Sequence, residues 1–132
     1  MPQGFEIAEF KARLTRAQSR MDAAGLDAIL LTTEPNVRYF SGFFTQFWLS
    51  PTRPWFLLIP LEGKPIAVIP TIGVVGMQDT WIDDIRSWSS PQPGDDGISH
   101  LTSTINELPK RFGRIGASLG PESYLRMPAQ DF

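Results

Sequence analysis

The chain contains no cysteine, which excludes disulfides and thiolate-ligated zinc and fits a reducing compartment. It has a single histidine, His100. A hydrolytic triad would have to use that residue, yet no serine stands in a Gly-x-Ser-x-Gly setting. An excess of positive charge is also missing. With 12 basic and 14 acidic residues the formal net charge is −2, so no basic face recommends nucleic acid as a partner, and no acidic tail recommends a cationic one. No apolar run approaches the roughly 18–20 residues that a membrane-spanning helix needs. The first residues, MPQGFEIAEF, have neither the basic n-region nor the apolar h-region of a signal peptide. These absences set the expectation of a cytoplasmic protein with no nucleic-acid and no membrane partner.

What is present is a turn-rich globular composition. At 132 residues the length suits one domain with a real core. The 12 prolines and 11 glycines stand singly or in pairs between apolar runs, which predicts short elements joined by tight turns. Phe5–Ala24 reads as an amphipathic helix. Ile7, Phe10, Leu14, Ala17, Met21 and Ala24 form one stripe at spacings of three and four, with Lys11, Arg13, Arg16 and Arg20 placed on a solvated face. Gly25 is the expected C-terminal stop, and Arg20 is expected to complement the helix dipole in the last turn.

Asp27–Thr32 reads as a buried strand, because Ala28-Ile29-Leu30-Leu31 is continuously apolar. Glu34-Pro35-Asn36 opens a short helical turn that Ser41-Gly42 closes, and the pattern suggests a crossover feeding a sheet. Trp55–Ile59 and Ile66–Ile69 are joined by Glu62-Gly63-Lys64 and must therefore pair antiparallel. Pro60, Pro65 and Pro70 fall at their ends, where a missing N–H costs no ladder bond. Thr71–Gln78 reads as a short helix capped by Thr71 and weakened by Gly73 and Gly76. Its Gly-x-x-Gly lacks the Lys-Ser/Thr of a phosphate loop. A strand follows within Trp81–Trp88, then the loop Ser90–Gly94, then a helix capped by Asp95 or Asp96 that carries Ile98, Leu101, Ile105 and Leu108. Pro109 ends that helix, and Arg114–Ser118 is a last short strand.

Little in this chain has the pattern of a catalytic centre. His100 lies off the apolar stripe of its helix and reads as a lone surface histidine. Asp79, Asp83 and Asp84, and the pair Asp95-Asp96, have no His or further Glu at ligand spacing, so solvation and capping are expected of them. The segment Phe43-Phe44-Thr45-Gln46-Phe47-Trp48, followed by Arg53 and Trp55, stands out. It packs four large aromatics into six residues, and it is read either as core and sheet-edge packing or as an exposed aromatic and arginine binding surface.

Asp27-Ala28-Ile29-Leu30-Leu31, followed by Pro35-Asn36-Val37-Arg38-Tyr39-Phe40-Ser41-Gly42-Phe43, resembles the amino-terminal domain of the creatinase/prolidase family. That family contains Xaa-Pro aminopeptidases, prolidases and creatinases, all with a pita-bread catalytic domain. The resemblance runs from the opening helix to Arg114-Ile115-Gly116. It implies an α/β fold: three layers, α/β/α, around a mixed, mostly parallel sheet containing one antiparallel hairpin, with ribonuclease-H-like topology. It further implies that residues 1–132 are one non-catalytic domain, with the catalytic domain expected after Phe132, since Leu119–Pro128 begins an element that the chain does not complete.

The remaining expectations also follow from the resemblance. The implied partners are the protein's own catalytic domain, a second subunit in a homodimer, and a small peptide or creatine-like substrate. The family's metal ligands (two Asp, one His, two Glu) belong to the catalytic domain and match no segment here. No cofactor is therefore expected in this chain, whereas a parent of the peptidase type would carry a dinuclear divalent centre (Mn, Co or Zn). Creatinase-type members work without metal. In such proteins the loop after the motif lies over the active site of the neighbouring subunit. Carried over, this makes Trp48 the candidate aromatic wall, Phe47 its neighbour, and Arg53 the candidate cation for a substrate carboxylate by bidentate pairing. The competing expectation is a free-standing α/β module that binds a small ligand or a protein.

Overall fold

The structure, a computed structural model, describes residues 4–49, 54–121 and 123–132. Along the chain lie α1 (Ile7–Ala24), β1 (Ala28–Leu31), α2 (Glu34–Ser41), β2 (Phe56–Pro60), β3 (Ile66–Pro70), α3 (Val74–Gln78), β4 (Asp84–Trp88), α4 (Ile98–Glu107) and β5 (Ile115–Ala117). This is the order that the apolar periodicities predict. Helix α1 stops where Gly25 takes φ +72°. The Gly25 N–H returns to the Asp22 carbonyl and the Leu26 N–H to that of Met21, satisfying two carbonyls that the helix leaves open. Pro35 sits in the first turn of α2, where a missing N–H breaks no helical bond, and Gly42, at φ +78°, ends it.

The sheet runs β4-β3-β2-β1-β5. β2 is antiparallel to both β1 and β3, while β4 is parallel to β3 and β5 parallel to β1. Four strands therefore share one direction, and β2, in the middle, opposes them. The hairpin β2–β3 is the predicted one. The antiparallel pairing of β1 with β2 is an addition: the Pro35–Gly42 segment returns the chain beside β1 instead of crossing to a parallel neighbour. An antiparallel return needs no handed crossover, so a short helix and a loop suffice.

Side-chain alternation sorts the strands onto two cores. Leu31, Leu57, Ile59, Ala67 and Ile69 pack against Phe10, Leu14 and Met21 of α1, Val37 of α2 and Met77 of α3. Ala28, Leu30, Phe56, Leu58, Ile66 and Val68 face the opposite way, onto Leu101 of α4 with Ile98 and Ile105 beside it. The result is three layers, helices on both faces of one sheet. β2 and β3 are buried along their whole length, which is why their sequences are apolar runs without alternation. Burying each such Leu or Ile is worth about 1.5–3 kcal/mol before conformational entropy is counted.

Four local expectations need correction. Arg13 is not on a solvated face: it is buried at 8% exposure, because its guanidinium finds partners on α2. Arg20 falls just ahead of the last turn of α1, which carries no basic residue. The Thr71 hydroxyl does not cap the following turn but donates to the Trp88 carbonyl of β4 at 3.0 Å, since the parallel β3–β4 pairing brings that carbonyl within reach. The N-cap position of α4 is Gly97. Asp95 still serves the helix from two residues upstream, its carboxylate accepting from the Ser99 N–H and hydroxyl, both at 2.8 Å, while Asp96 accepts from the Gln92 N–H instead.

Candidate functional site

The segment that follows α2 begins from a firmly held root. Within the turn, the Ser41 hydroxyl donates to the Val37 carbonyl at 2.6 Å and accepts from the Phe43 N–H at 3.0 Å. Two further carbonyls at the end of α2 are held from other elements. Arg13 of α1 donates to the Tyr39 carbonyl at 2.8 Å, and the Trp81 indole N–H donates to that of Phe40, also at 2.8 Å. Arg13 also pairs with Glu9 at 3.1 Å. Its guanidinium lies 4.4 Å from the Phe5 ring centroid, 5.2 Å from Phe10 and 4.3 Å from Tyr39. A buried cation enclosed by three ring faces and two oxygens is a rigid joint between α1 and α2.

From that root the chain alternates between core and surface. Phe43 is buried, its ring 5.4 Å from that of Trp55. Phe44 is 53% exposed, with the Arg38 guanidinium 5.0 Å from its ring. A single 3₁₀ turn then spans Gln46–Leu49. Trp48 is buried at 5% exposure, with its ring 6.1 Å from Trp55. Arg126 crosses from the far end of the chain, places its guanidinium 5.8 Å from the Trp48 ring and donates to the Trp48 carbonyl. Burial holds the Arg126 pKa below its ordinary value, with Tyr124 opposing that shift.

Of the three residues singled out for substrate contact, the structure thus places Trp48, and places it inward. In this chain Trp48 is a core residue, with Trp55 and Arg126 against its indole. The side chain of Phe47, and Arg53 altogether, lie outside the described residues. The residue that sequence reasoning missed is Arg126. It lies 78 positions from Trp48 in a stretch with no periodicity, and no local signal points to the contact.

Several titratable groups are engaged in structural work. The Asp27 carboxylate accepts from the backbone N–H groups of Arg111, Phe112 and Gly113 at 3.1, 2.9 and 2.8 Å, closing the loop that leads into β5. Burial pushes its pKa up, but the N–H groups of Phe112, Gly113, Arg111 and Arg114 outweigh that and hold it below the ordinary value of 3.8. Asp83 pairs with Lys64 at 2.6 Å. Arg86 bridges Asp84 and Glu107, and their hydrogen bonds push its pKa further up. His100 is exposed, and its carbonyl accepts from the Thr104 hydroxyl. Among the described residues no three His, Asp or Glu side chains come together as a metal-binding group, and no helix is long and apolar enough to cross a membrane. What the geometry offers is a surface, aromatic and arginine-bearing, on a fixed base.

Comparison with known proteins adds the context. The family model described as the creatinase/prolidase N-terminal domain matches residues 13–130. No curated protein sequence matches the chain. Among solved structures, the chain is similar to dipeptidase PepE from Mycobacterium ulcerans, with 23% identity and a TM-score of 0.64 over 77% of this chain and 27% of that one. A proline dipeptidase from Streptococcus agalactiae gives 16% identity and a TM-score of 0.67 over 86% of this chain and 80% of that one. The creatinase/prolidase N-terminal domain of an X-Pro dipeptidase from Streptococcus pyogenes gives 15% and 0.58 over 70% and 66%. At these identities the likeness establishes the fold, and the chain spans about a quarter of the length of the mycobacterial dipeptidase.

Proposed function

Because the chain belongs to the creatinase/prolidase N-terminal domain family, we propose that it is the non-catalytic amino-terminal domain of a hydrolase of that family. The parent protein, acting in the cytoplasm as a homodimer, cleaves the bond before proline in a small peptide, or a C–N bond in a creatine-like compound. Here the domain contributes dimer contacts and part of the substrate pocket of the neighbouring subunit. Its other partner is its own catalytic domain. The described residues form no metal group. A peptidase-type parent would carry its dinuclear divalent centre of Mn, Co or Zn in that catalytic domain.

The observation that carries this reading is the fixed root of the post-motif segment. A segment that reaches toward another subunit must be held from behind, or its ordering cost is charged to substrate binding. Arg13 and Trp81 hold the carbonyls of Tyr39 and Phe40, and Trp48 is wedged between Trp55 and Arg126. In this reading Trp48 is the buried anchor, while Phe47 and Arg53 contact substrate, Arg53 pairing with its carboxylate.

The test uses the full-length protein. Phe47→Ala and Arg53→Ala are each expected to raise KM for an Xaa-Pro dipeptide by about tenfold, on the order of 1.4 kcal/mol, with dimer mass and thermal unfolding unchanged. Normal kinetics in both variants would reduce the segment to packing. Xaa-Pro hydrolysis by the isolated 132-residue chain, lost on mutation within it, would overturn the non-catalytic assignment.

A further inference from the structure

Away from the post-motif segment, the outer side of α1 faces the end of α2 across a cleft of about 470 Å³, lined by Arg13, Arg16, Arg20, Met21, Leu26, Ile29, Tyr39 and Phe40 among others. Its size falls in the range of small-molecule sites. A chain of net charge −2 places three arginines and no carboxylate in this lining. They stand at spacings of three and four, so their side chains rise from one edge of the helix.

The three are not equivalent. Arg13 is locked in its ring cage and spends its donors on Glu9 and the Tyr39 carbonyl. Arg16 is 57% exposed at its side chain, 4.0 Å from the shared Glu9 and 3.5 Å from the Tyr39 hydroxyl, both at the limit of contact. Arg20 has no ion pair among the described residues. The rest of the lining is largely apolar, Met21, Leu26, Ile29 and Phe40 among it, with Tyr39 beside them. Two arginines with donors to spare beside an apolar lining match one ligand chemistry, an anionic head on an apolar body, because a guanidinium fork takes a carboxylate in two parallel hydrogen bonds.

We propose that this cleft binds a small apolar monocarboxylate, with its carboxylate on Arg16 and Arg20 and its body on Met21, Leu26, Ile29 and Phe40. The site is separate from the substrate contacts proposed above and does not depend on them. Tyr39 and Phe40 of its lining immediately precede Ser41-Gly42, so occupancy would be felt at the root of the post-motif segment.

The probe is 3-phenylpropanoate, titrated into the ¹⁵N-labelled 132-residue chain, with 3-phenylpropan-1-ol as the uncharged isostere and acetate as the head without a body. Saturating shifts confined to residues 13–29 and 39–42 are expected, weakening as salt is raised. Both controls, and the Arg16→Gln/Arg20→Gln double variant, should bind at least about tenfold more weakly. The variant leaves Arg13 and the core untouched, and its amide spectrum reports whether it is folded. Equal binding of the alcohol would leave only a greasy groove, undiminished binding by the double variant would remove the arginines from it, and no saturable shift would remove the site. Each of these results overturns the proposal.

Discussion

Cζ3 of Trp55 lies 2.1 Å from where a Cβ on Gly73 would stand, and Cη2 of the same ring lies 2.7 Å from it. Glycine at 73 is therefore a requirement of close approach: it lets the turn ahead of α3 lie flat on the indole. Gly73→Ala should destabilise the chain by about 1–3 kcal/mol, the usual cost of overpacking a tight interior, since Trp55 is fully buried and has Phe43 and Trp48 against it. Urea unfolding of the variant measures this directly. A midpoint equal to that of the parent would mean that the ring has room to move.

Asp27 gives a prediction in pH. Its folded pKa lies below the ordinary value of 3.8, so the folded state favours the carboxylate. The associated stability is complete above that value and is lost as pH falls through the lowered folded pKa. Asp27→Asn should thus be less stable than the parent at neutral pH, and the gap should close as both are taken to strong acid. Urea titrations at a series of pH values test this; a gap independent of pH would remove the carboxylate's charge from the explanation.

Arg13→Lys keeps the charge and loses the planar fork. An ammonium cannot serve Glu9 and the Tyr39 carbonyl while also lying flat among Phe5, Phe10 and Tyr39. The expected cost is about 1.5–3 kcal/mol, the range for a hydrogen bond to a charged group, together with faster amide exchange at Tyr39–Phe43. Unchanged exchange there would mean that α2 holds its end without α1.

Much of the fold could be read locally. The stripe Phe10, Leu14, Met21 has one meaning at helical spacing, Gly25 and Gly42 mark their helix ends, and two apolar runs joined by a short connection through Glu62-Gly63-Lys64 pair only as a hairpin. Side-chain partners across the chain could not be read, because nothing in a window around them specifies them. The direction of β2 relative to β1 depends on what occupies the space beside β1. Arg13 looked like one basic residue among four, and only the carbonyl of Tyr39, 26 positions away, distinguishes it. Asp27 looked like the first residue of a strand, and its three N–H partners lie more than 80 positions on. At the candidate site, the aromatic density between Phe43 and Trp55 was visible, but which rings face inward was not. Alternation in a segment without regular structure carries no period, and the inward orientation of Trp48 is set by Trp55 and Arg126.

The register of β5 on β1, Ala28 opposite Ile115 and Leu30 opposite Ala117, closes a sheet begun almost ninety residues earlier. Any piece of this protein cut before Ile115, whether by a protease, a premature stop or an ill-chosen expression boundary, retains the hairpin layers of β1 to β3. It leaves Ala28-Ile29-Leu30-Leu31 as a bare rim, with a row of unpaired backbone donors and acceptors on an apolar strand, the kind of edge along which chains template one another. Three residues of β5 are what cover that rim in the intact sheet.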